Sequence, residues 1–250
     1  MAEETTIELK RAALNHYFQN LNTPQQQAVF HVNGPVLVLA GAGSGKTTAM
    51  IHRIVQMIHF GDGWVQANAS ITKEDAAYLK DYIADKQPAD LERLCSILAV
   101  QPIQPWHILA ITFTNKAANE LRSRLLQAIG EECASMLHAS TFHSACVRIL
   151  RRSISKLGYD SNFTIYDTDD SQRLMKSCIA DADVSEKQFP PRAVLTEISL
   201  AKDRMCSPEY FCIEAGSDYR KMVIGKLYKE YQNRLKSANA LDFDDLIYKT

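Results

Sequence analysis

The stretch PVLVLAGAGSGKTT, residues 35–48, decides the fold that this sequence predicts. Its first part, Pro35 to Ala40, is a continuous apolar run after an Asn33-Gly34 turn signal, which is typical of a strand buried on both faces of a parallel sheet. Apolar residues then recur at helical spacing after Lys46, namely Ile51, Ile54, Val55 and Ile58. A strand, a glycine-rich loop and a helix therefore follow one another, which is half of a βαβ unit.

The loop AGAGSGKTT, Ala40 to Thr48, predicts a phosphate-binding site. Three of the chain's ten glycines lie between Gly41 and Gly45, where they allow backbone N–H groups to curl around an anion. We expect Lys46 to neutralise the β and γ phosphates of ATP and Thr47 to ligate Mg²⁺, so these two are the predicted catalytic residues. The predicted nucleotide contacts of the loop are Ala42, Gly43, Ser44, Gly45, Lys46, Thr47 and Thr48.

The alternative for this loop is a tight strand-to-helix turn without a ligand. Such a turn would explain one glycine, but not the Gly-Lys-Thr at the start of the helix. Ala40 takes the first position of the GxxxxGK[ST] pattern, where a small residue still fits. Because a phosphate loop does not distinguish kinases, GTPases and motor proteins, the choice among them depends on the flanking motifs.

Two further strand-helix units follow along the chain. HILAITF, from His107, predicts a second buried strand, and NKAANELRSRLLQAI after it predicts a helix. That helix has an apolar face formed by Ala118, Leu121, Leu125 and Ile129. MLHASTF and HSACVRILRRSISKL repeat the pattern. The alternation favours an α/β fold with a doubly wound parallel sheet and ligands at the carboxyl ends of its strands.

Helical segments interrupt and follow these units. Gly61 to Pro102 is predicted to be a small helical insertion in which Thr72 and Asp90 cap helices. After about Gly158 the pattern becomes helical, and its predicted helices begin at Asp167–Asp170, at Pro190-Pro191 and at Tyr219. The last stretch, ALDFDDLIYKT, has apolar positions at Leu241, Phe243, Leu246 and Ile247 and is expected to return to the first domain.

Composition limits the classes of function. The 28 Lys and Arg residues nearly balance the 29 Asp and Glu residues, so nucleic-acid binding would need a local basic face. No signal peptide or run of 18 apolar residues is found, and the six scattered cysteines fit a reducing compartment, so we expect a cytoplasmic protein without a membrane segment. A zinc site at Cys133, His138, His143 and Cys146 is disfavoured, because the sequence lacks the CxxC pair with which zinc sites usually start.

The flanking motifs resemble those of one helicase family. LNTPQQQAV, AGAGSGKT, ILAITFTNKAANEL and STFHSACVRILRR, in that order and spacing, closely resemble the motifs of UvrD/Rep/PcrA-type superfamily 1 DNA helicases. The resemblance covers nearly the whole chain apart from the insertion. It implies a RecA-like subdomain 1A over residues 1–158 with the insertion at 61–102, a helical subdomain 1B over 159–237, and a return to 1A over 238–250.

The resemblance also assigns roles to individual residues. Gln25 matches the glutamine that recognises the adenine edge, although it could instead be a surface residue at a helix start. Thr48 stands where many members have an arginine that stacks on the base, so this chain departs from the family pattern at that position. Predicted contacts to single-stranded DNA are Thr112, Phe113, Asn115, Lys116, Thr141, Phe142, His143, Arg148, Arg151 and Arg152. Aromatic stacking and phosphate contacts of this kind bind single strands without sequence preference, whereas Phe113 could also be a core residue.

The family further implies an ATP- and Mg²⁺-dependent DNA helicase that moves 3′ to 5′ and binds single-stranded DNA and duplex junctions. We expect a monomer that needs a second RecA-like domain of the same parent chain. The Walker B carboxylates and the arginine finger would lie beyond Thr250, since Asp242, Asp244 and Asp245 look like helix-start residues, so this chain alone should be inactive. A stand-alone P-loop NTPase or kinase, and a non-catalytic DNA- or partner-binding module, are the alternatives.

Overall fold

The computed structural model describes residues 2–66 and 71–250. The chain divides into two compact units, Met1–Ser140 and Thr141–Thr250, and each is described by itself. The described residues form a helix-rich α/β protein that includes a small parallel sheet. Within the described ranges, no helix is long and apolar enough to cross a membrane.

The first unit is mainly helical. Its helices are α1 (Ala2–Tyr17), α2 (Thr23–Phe30), α3 (Lys46–Val55), α4 (Lys73–Ile83), α5 (Leu91–Leu98) and α6 (Asn115–Met136), with a π-helical turn at Gln56–Phe60 and a 3-10 turn at Pro105–His107. Strands β1 (Leu109–Thr112) and β2 (His138–Thr141) form a two-stranded sheet. The core joins apolar side chains of α1 to α6, among them Leu14, Val29, Ile54, Leu79 and Leu121.

The predicted buried strand at Pro35–Ala40 is wrong for this structure. No strand is assigned there, and the side chains of Leu37 and Leu39 are 82% and 86% exposed. A strand buried on both faces needs neighbouring strands for its N–H and C=O groups and helices over both faces. Among the described residues no strand pairs with this stretch, so the expected doubly wound sheet is not formed.

The second predicted strand is present but is not fully buried. In β1 the side chain of Ala110 is 7% exposed, but that of Leu109 is 47% exposed. The helices that follow the predicted strands are confirmed more closely. Ala118, Leu121, Leu125 and Ile129 are all buried on α6, and Ile51, Ile54 and Val55 are buried on α3.

The described part of the predicted insertion, residues 61–66 and 71–102, contains α4 and α5, and both predicted caps are present. Residues 67–70 of the insertion lie outside the described residues. Thr72 Oγ1 accepts the N–H of Asp75 at 3.1 Å, and Asp90 Oδ1 accepts the N–H of Arg93 at 3.1 Å. The ends of the insertion meet at a parallel bridge between Gly61 and Val100. A Cβ on Gly63 would lie 2.1 Å from the carbonyl oxygen of Leu98, so only glycine permits this approach.

The second unit contains α7 (Phe142–Ser153), α8 (Thr168–Asp181), α9 (Pro191–Asp203), α10 (Pro208–Ala215), α11 (Tyr219–Ser237) and α12 (Phe243–Tyr248), with a 3-10 turn at Ile154–Leu157. Strands β3 (Thr164–Ile165) and β4 (Ala240–Leu241) pair in parallel, with Thr164 opposite Ala240. The starts of α8, α9 and α11 confirm the predicted helices. β4 and α12 form the last stretch, and α12 packs on α7 and α9.

Candidate functional site

The glycine-rich loop has the backbone geometry of an anion cradle. Gly43 and Gly45 have φ values of 75° and 81°, the left-handed region that side chains disfavour. Gly45 is the N-cap of α3, and no side chain caps this helix start. The first N–H groups of α3 are therefore not capped by the protein and can serve an anionic ligand.

Lys46 lies across this loop. Its Nζ donates hydrogen bonds to the carbonyl oxygens of Ala40, at 2.8 Å, and Gly41, at 2.5 Å. Ser44 Oγ also donates to Gly41 O, at 2.8 Å. The ammonium group is thus held within the loop by two neutral carbonyl oxygens. A phosphate oxygen can replace them, since a charged acceptor forms a stronger hydrogen bond with an ammonium group.

Gln25 lies beside the same loop. Its Oε1 accepts the N–H of Asn22 at 3.1 Å, Asn22 Oδ1 accepts the N–H of Gln25 at 3.0 Å, and Gln25 Nε2 donates to Ser44 O at 3.2 Å. The first two bonds form a capping box at the start of α2. Gln25 is therefore both a helix-start residue and a neighbour of the glycine-rich loop, so the two sequence-based alternatives are not exclusive.

The remaining predicted loop residues surround Lys46. Ala42 is exposed, while Thr47 and Thr48 are half-buried on the first turn of α3. A cavity of about 320 Å³ adjoins this turn. Its lining residues are Ala28, Val36, Val38, Lys46, Ala49, Met50 and Arg53.

Arg53 is a supporting residue that sequence reasoning missed. Its guanidinium donates to Ala28 O at 2.8 Å and to Val32 O at 3.3 Å, which ties α3 to α2. Burial lowers the pKa of Arg53 from its usual value. Only its place in the last turn of α3 hinted at this role, since basic residues there can bind nearby carbonyls.

The predicted DNA contacts of the first unit cluster at the start of α6. Phe113 is 89% exposed, so it is not a core residue, and Asn115 and Lys116 are exposed beside it. Thr112 Oγ1 donates to Thr114 O at 3.1 Å, and Thr114 Oγ1 caps α6 by accepting the N–H of Ala117. These bonds hold the aromatic ring and the two polar residues on one exposed turn.

The second unit holds the other predicted DNA contacts, at the start of α7. Thr141 is nearly buried and caps the helix through Ser144, whereas Phe142 is 41% exposed. His143 is exposed, and its ring meets that of Phe243 edge-on at 5.7 Å between centroids. Phe243 is 49% exposed and forms an aromatic pair with His143 that sequence reasoning missed.

The three predicted basic residues of α7 differ in their surroundings. Arg151 donates to Ser161 O at 2.6 Å, and its guanidinium carbon lies 3.9 Å from the centre of the Phe163 ring. Arg152 is exposed, and Arg148 is half-buried. Arg151 therefore contributes to the packing of the second unit, which the helical spacing alone did not indicate.

A buried ionic cluster lies at the start of α12, next to Phe243 in the chain. Lys202 Nζ is 2.7 Å from Asp242 Oδ2 and 3.0 Å from Asp245 Oδ1, and Tyr231 donates its hydroxyl proton to Asp242 at 3.0 Å. Burial alone would lower the pKa of Lys202, but the two carboxylates outweigh it and raise this pKa. Asp242 is the N-cap of α12 and Asp244 and Asp245 lie in its first turn, which confirms all three as helix-start residues, but Asp245 is also fully buried.

The sequence contained one sign of this cluster. Lys202 comes one helical turn after Ile198 and two turns after Val194, both buried on α9, so it falls on the apolar face of that helix. Separately, the described ranges contain no group of three or more potential metal ligands of the His, Cys, Asp and Glu types.

Comparison with known proteins identifies relatives along nearly the whole chain. The model of the UvrD/REP helicase N-terminal domain family matches residues 21–68 and 91–250. Between these ranges lies α4, within the helical insertion. The chain is 39% identical to the ATP-dependent DNA helicase PcrA of Bacillus subtilis over 94% of its own length.

Two staphylococcal relatives give the same result. The chain is 37% identical to PcrA of Staphylococcus epidermidis over 95% of its length, and 36% identical to PcrA of Staphylococcus aureus over 96%. The matches cover 26%, 27% and 26% of these three relatives, so the chain spans about a quarter of their length.

Proposed function

The chain belongs to the UvrD/REP helicase N-terminal domain family, and from this premise we propose that it is the portion of an ATP-dependent DNA helicase that binds ATP and single-stranded DNA. The observation that supports this most directly is the loop geometry. Two left-handed glycines, an uncapped helix start and the Lys46 ammonium meet within one turn of backbone.

ATP would be held chiefly by its phosphates. The N–H groups of Gly43 to Thr47 would surround the β and γ phosphates, with Lys46 exchanging its two carbonyl partners for phosphate oxygens. Thr47, a hydroxyl on the first turn of α3, would hold Mg²⁺, which prefers oxygen ligands and neutralises phosphate charge. Gln25 would meet the adenine edge, and Thr48 would lie close to the base or ribose without a stacking group.

Single-stranded DNA would bind through exposed aromatic and basic side chains. Phe113 in the first unit, and Phe142, His143 and Phe243 in the second, would stack on bases. Asn115 and Lys116, with Arg148, Arg151 and Arg152, would meet phosphates, while Thr112 and Thr141 set the turns that present them. Duplex junctions are proposed as substrates of the parent enzyme.

For the parent enzyme we propose a RecA-like subdomain 1A over residues 1–158 and 238–250, and a subdomain 1B over 159–237. A second RecA-like domain would close on ATP and supply the arginine finger, and cycles of closing and opening would drive 3′ to 5′ movement. We propose that it acts as a cytoplasmic monomer. We propose that the chain alone does not turn over ATP, because Asp242, Asp244 and Asp245 begin α12 and are not proposed to position Mg²⁺ or the attacking water.

Nucleotide binding is tested by titration calorimetry with ATP and Mg²⁺, on the wild-type chain and on Lys46→Ala. We expect binding by the wild type and no detectable binding by Lys46→Ala, whose circular dichroism should be unchanged. ATP binding that survives in Lys46→Ala would contradict the site.

Hydrolysis is tested on the same two proteins, with and without single-stranded DNA. We expect no appreciable turnover by either. DNA-stimulated turnover by the wild type that is lost in Lys46→Ala would overturn the inactivity of this chain, but would support the site.

A further inference from the structure

We infer that Gln25 is a positioning residue for the phosphate loop, in addition to any contact with the base. This inference rests on the proposed nucleotide site. Gln25 Nε2 donates to the carbonyl of Ser44, which is a loop residue and precedes the N-cap of α3. A bond to the loop backbone acts on the phosphate site whether or not a base is bound.

The orientation of the Gln25 side chain is fixed from its other end. Its Oε1 accepts the N–H of Asn22, while Asn22 Oδ1 accepts the N–H of Gln25. This reciprocal pair leaves Nε2 directed at the loop. The capping box of α2 thereby fixes the position of Gln25 Nε2, which donates to the carbonyl of Ser44.

The contact also explains the glycine at position 45. A Cβ on Gly45 would lie 2.4 Å from Gln25 Nε2, so the carboxamide packs directly against the loop backbone. Gly45 has a φ of 81° at the same point. The left-handed turn that exposes the first N–H groups of α3 is therefore supported by Gln25 on one side.

The carboxamide retains capacity for a ligand. Its nitrogen has a second proton and its oxygen has a second lone pair, so it can meet an adenine edge without releasing Ser44 or Asn22. Gln25 would then couple base recognition to the shape of the phosphate loop. This predicts that its loss weakens binding even of a ligand that has no base.

Inorganic tripolyphosphate with Mg²⁺ is that ligand. Calorimetry should give a dissociation constant about fivefold higher for Gln25→Ala than for wild type, the loss expected for one hydrogen bond of typical strength. Gln27→Ala is the matched control, because Gln27 is an exposed glutamine on the same helix, and its affinity should not change. If Gln25→Ala weakens ATP binding but leaves tripolyphosphate binding unchanged, Gln25 recognises only the base and the inference is wrong.

Hydrogen exchange of the ligand-free loop separates this inference from the nucleotide site itself. Gln25→Glu retains an acceptor for Asn22 N–H but has no proton to donate to Ser44, so it removes only the hydrogen bond to the loop. We expect faster sub-second exchange of loop amides 43–46 in Gln25→Ala and Gln25→Glu, and wild-type exchange in Gln27→Ala. Unchanged exchange in both Gln25 variants would overturn the positioning role. Failure of wild type to bind ATP or tripolyphosphate would instead overturn the nucleotide site.

Discussion

Replacing Lys202 with methionine should be among the most destabilising single changes in the second unit. The side chain of Lys202 is 1% exposed, and those of its partners Asp242 and Asp245 are 9% and 0% exposed. Methionine retains most of the apolar stem of lysine but leaves two buried carboxylates without their shared cation. Breaking a buried pair in this way costs about 3–5 kcal/mol.

The lower end of that range is expected, about 3 kcal/mol, because Lys249 Nζ stays 3.6 Å from Asp245 Oδ1. Urea denaturation followed by circular dichroism measures the loss in the free energy of unfolding. Lys176→Met is the matched control, since Lys176 is 66% exposed and pairs with Glu186 at 3.5 Å. Such a surface pair contributes less than about 1 kcal/mol.

The pH dependence of stability tests independently whether the charge of Lys202 stabilises the fold. The folded-state pKa of Lys202 lies above its ordinary value of 10.5. The stability from its charge is therefore fully present below 10.5 and is lost as the pH rises through the folded-state pKa. The difference in the free energy of unfolding between wild type and Lys202→Met should be constant at neutral to mildly basic pH and should become smaller at higher pH.

A triple variant tests whether charge is the cause. Adding Asp242→Asn and Asp245→Asn to Lys202→Met removes the unpaired carboxylates, and most of the lost stability should return. The reasoning is refuted if Lys202→Met unfolds within about 1 kcal/mol of Lys176→Met at pH 7, or if the triple variant is no more stable than the single one.

Three more changes have defined outcomes. Gly45→Ala should weaken ATP binding, because alanine is strained at this φ and its Cβ would clash with Gln25. In calorimetry the double variant Gly45→Ala/Gln25→Ala should regain part of the ATP affinity that Gly45→Ala loses. Equal affinity in wild type and Gly45→Ala would contradict this. Arg152→Ala should weaken single-stranded DNA binding in fluorescence anisotropy and flatten its salt dependence, without changing the melting temperature. Arg151→Ala should also lower the melting temperature, since Arg151 stacks on Phe163. Equal melting temperatures for the two variants would refute that distinction. Thr72→Ala should lower stability by about 1 kcal/mol in urea denaturation through loss of the α4 cap, and no change would show that the cap is not formed.

The features that could be predicted from sequence are local in the chain. The predicted caps at Thr72 and Asp90, and the helix start predicted at Asp167–Asp170, depend on residues three positions apart, so the pattern of residue types was sufficient. The glycine-rich loop and the helix after it are equally local. The apolar faces of α3 and α6 followed from helical periodicity, because burial of one face is what stabilises such helices.

The features that required the tertiary structure join distant parts of the chain. Whether Pro35–Ala40 forms a strand depends on neighbouring strands, which no run of apolar residues can supply by itself. The bond from Gln25 to Ser44 and the pairing of Lys202 with Asp242 join residues 19 and 40 positions apart. By itself the sequence determined the residue types of the site and the local turns that present them. Only the fold decided which side chains are buried, because burial and pairing depend on packing between elements rather than on neighbours in the chain.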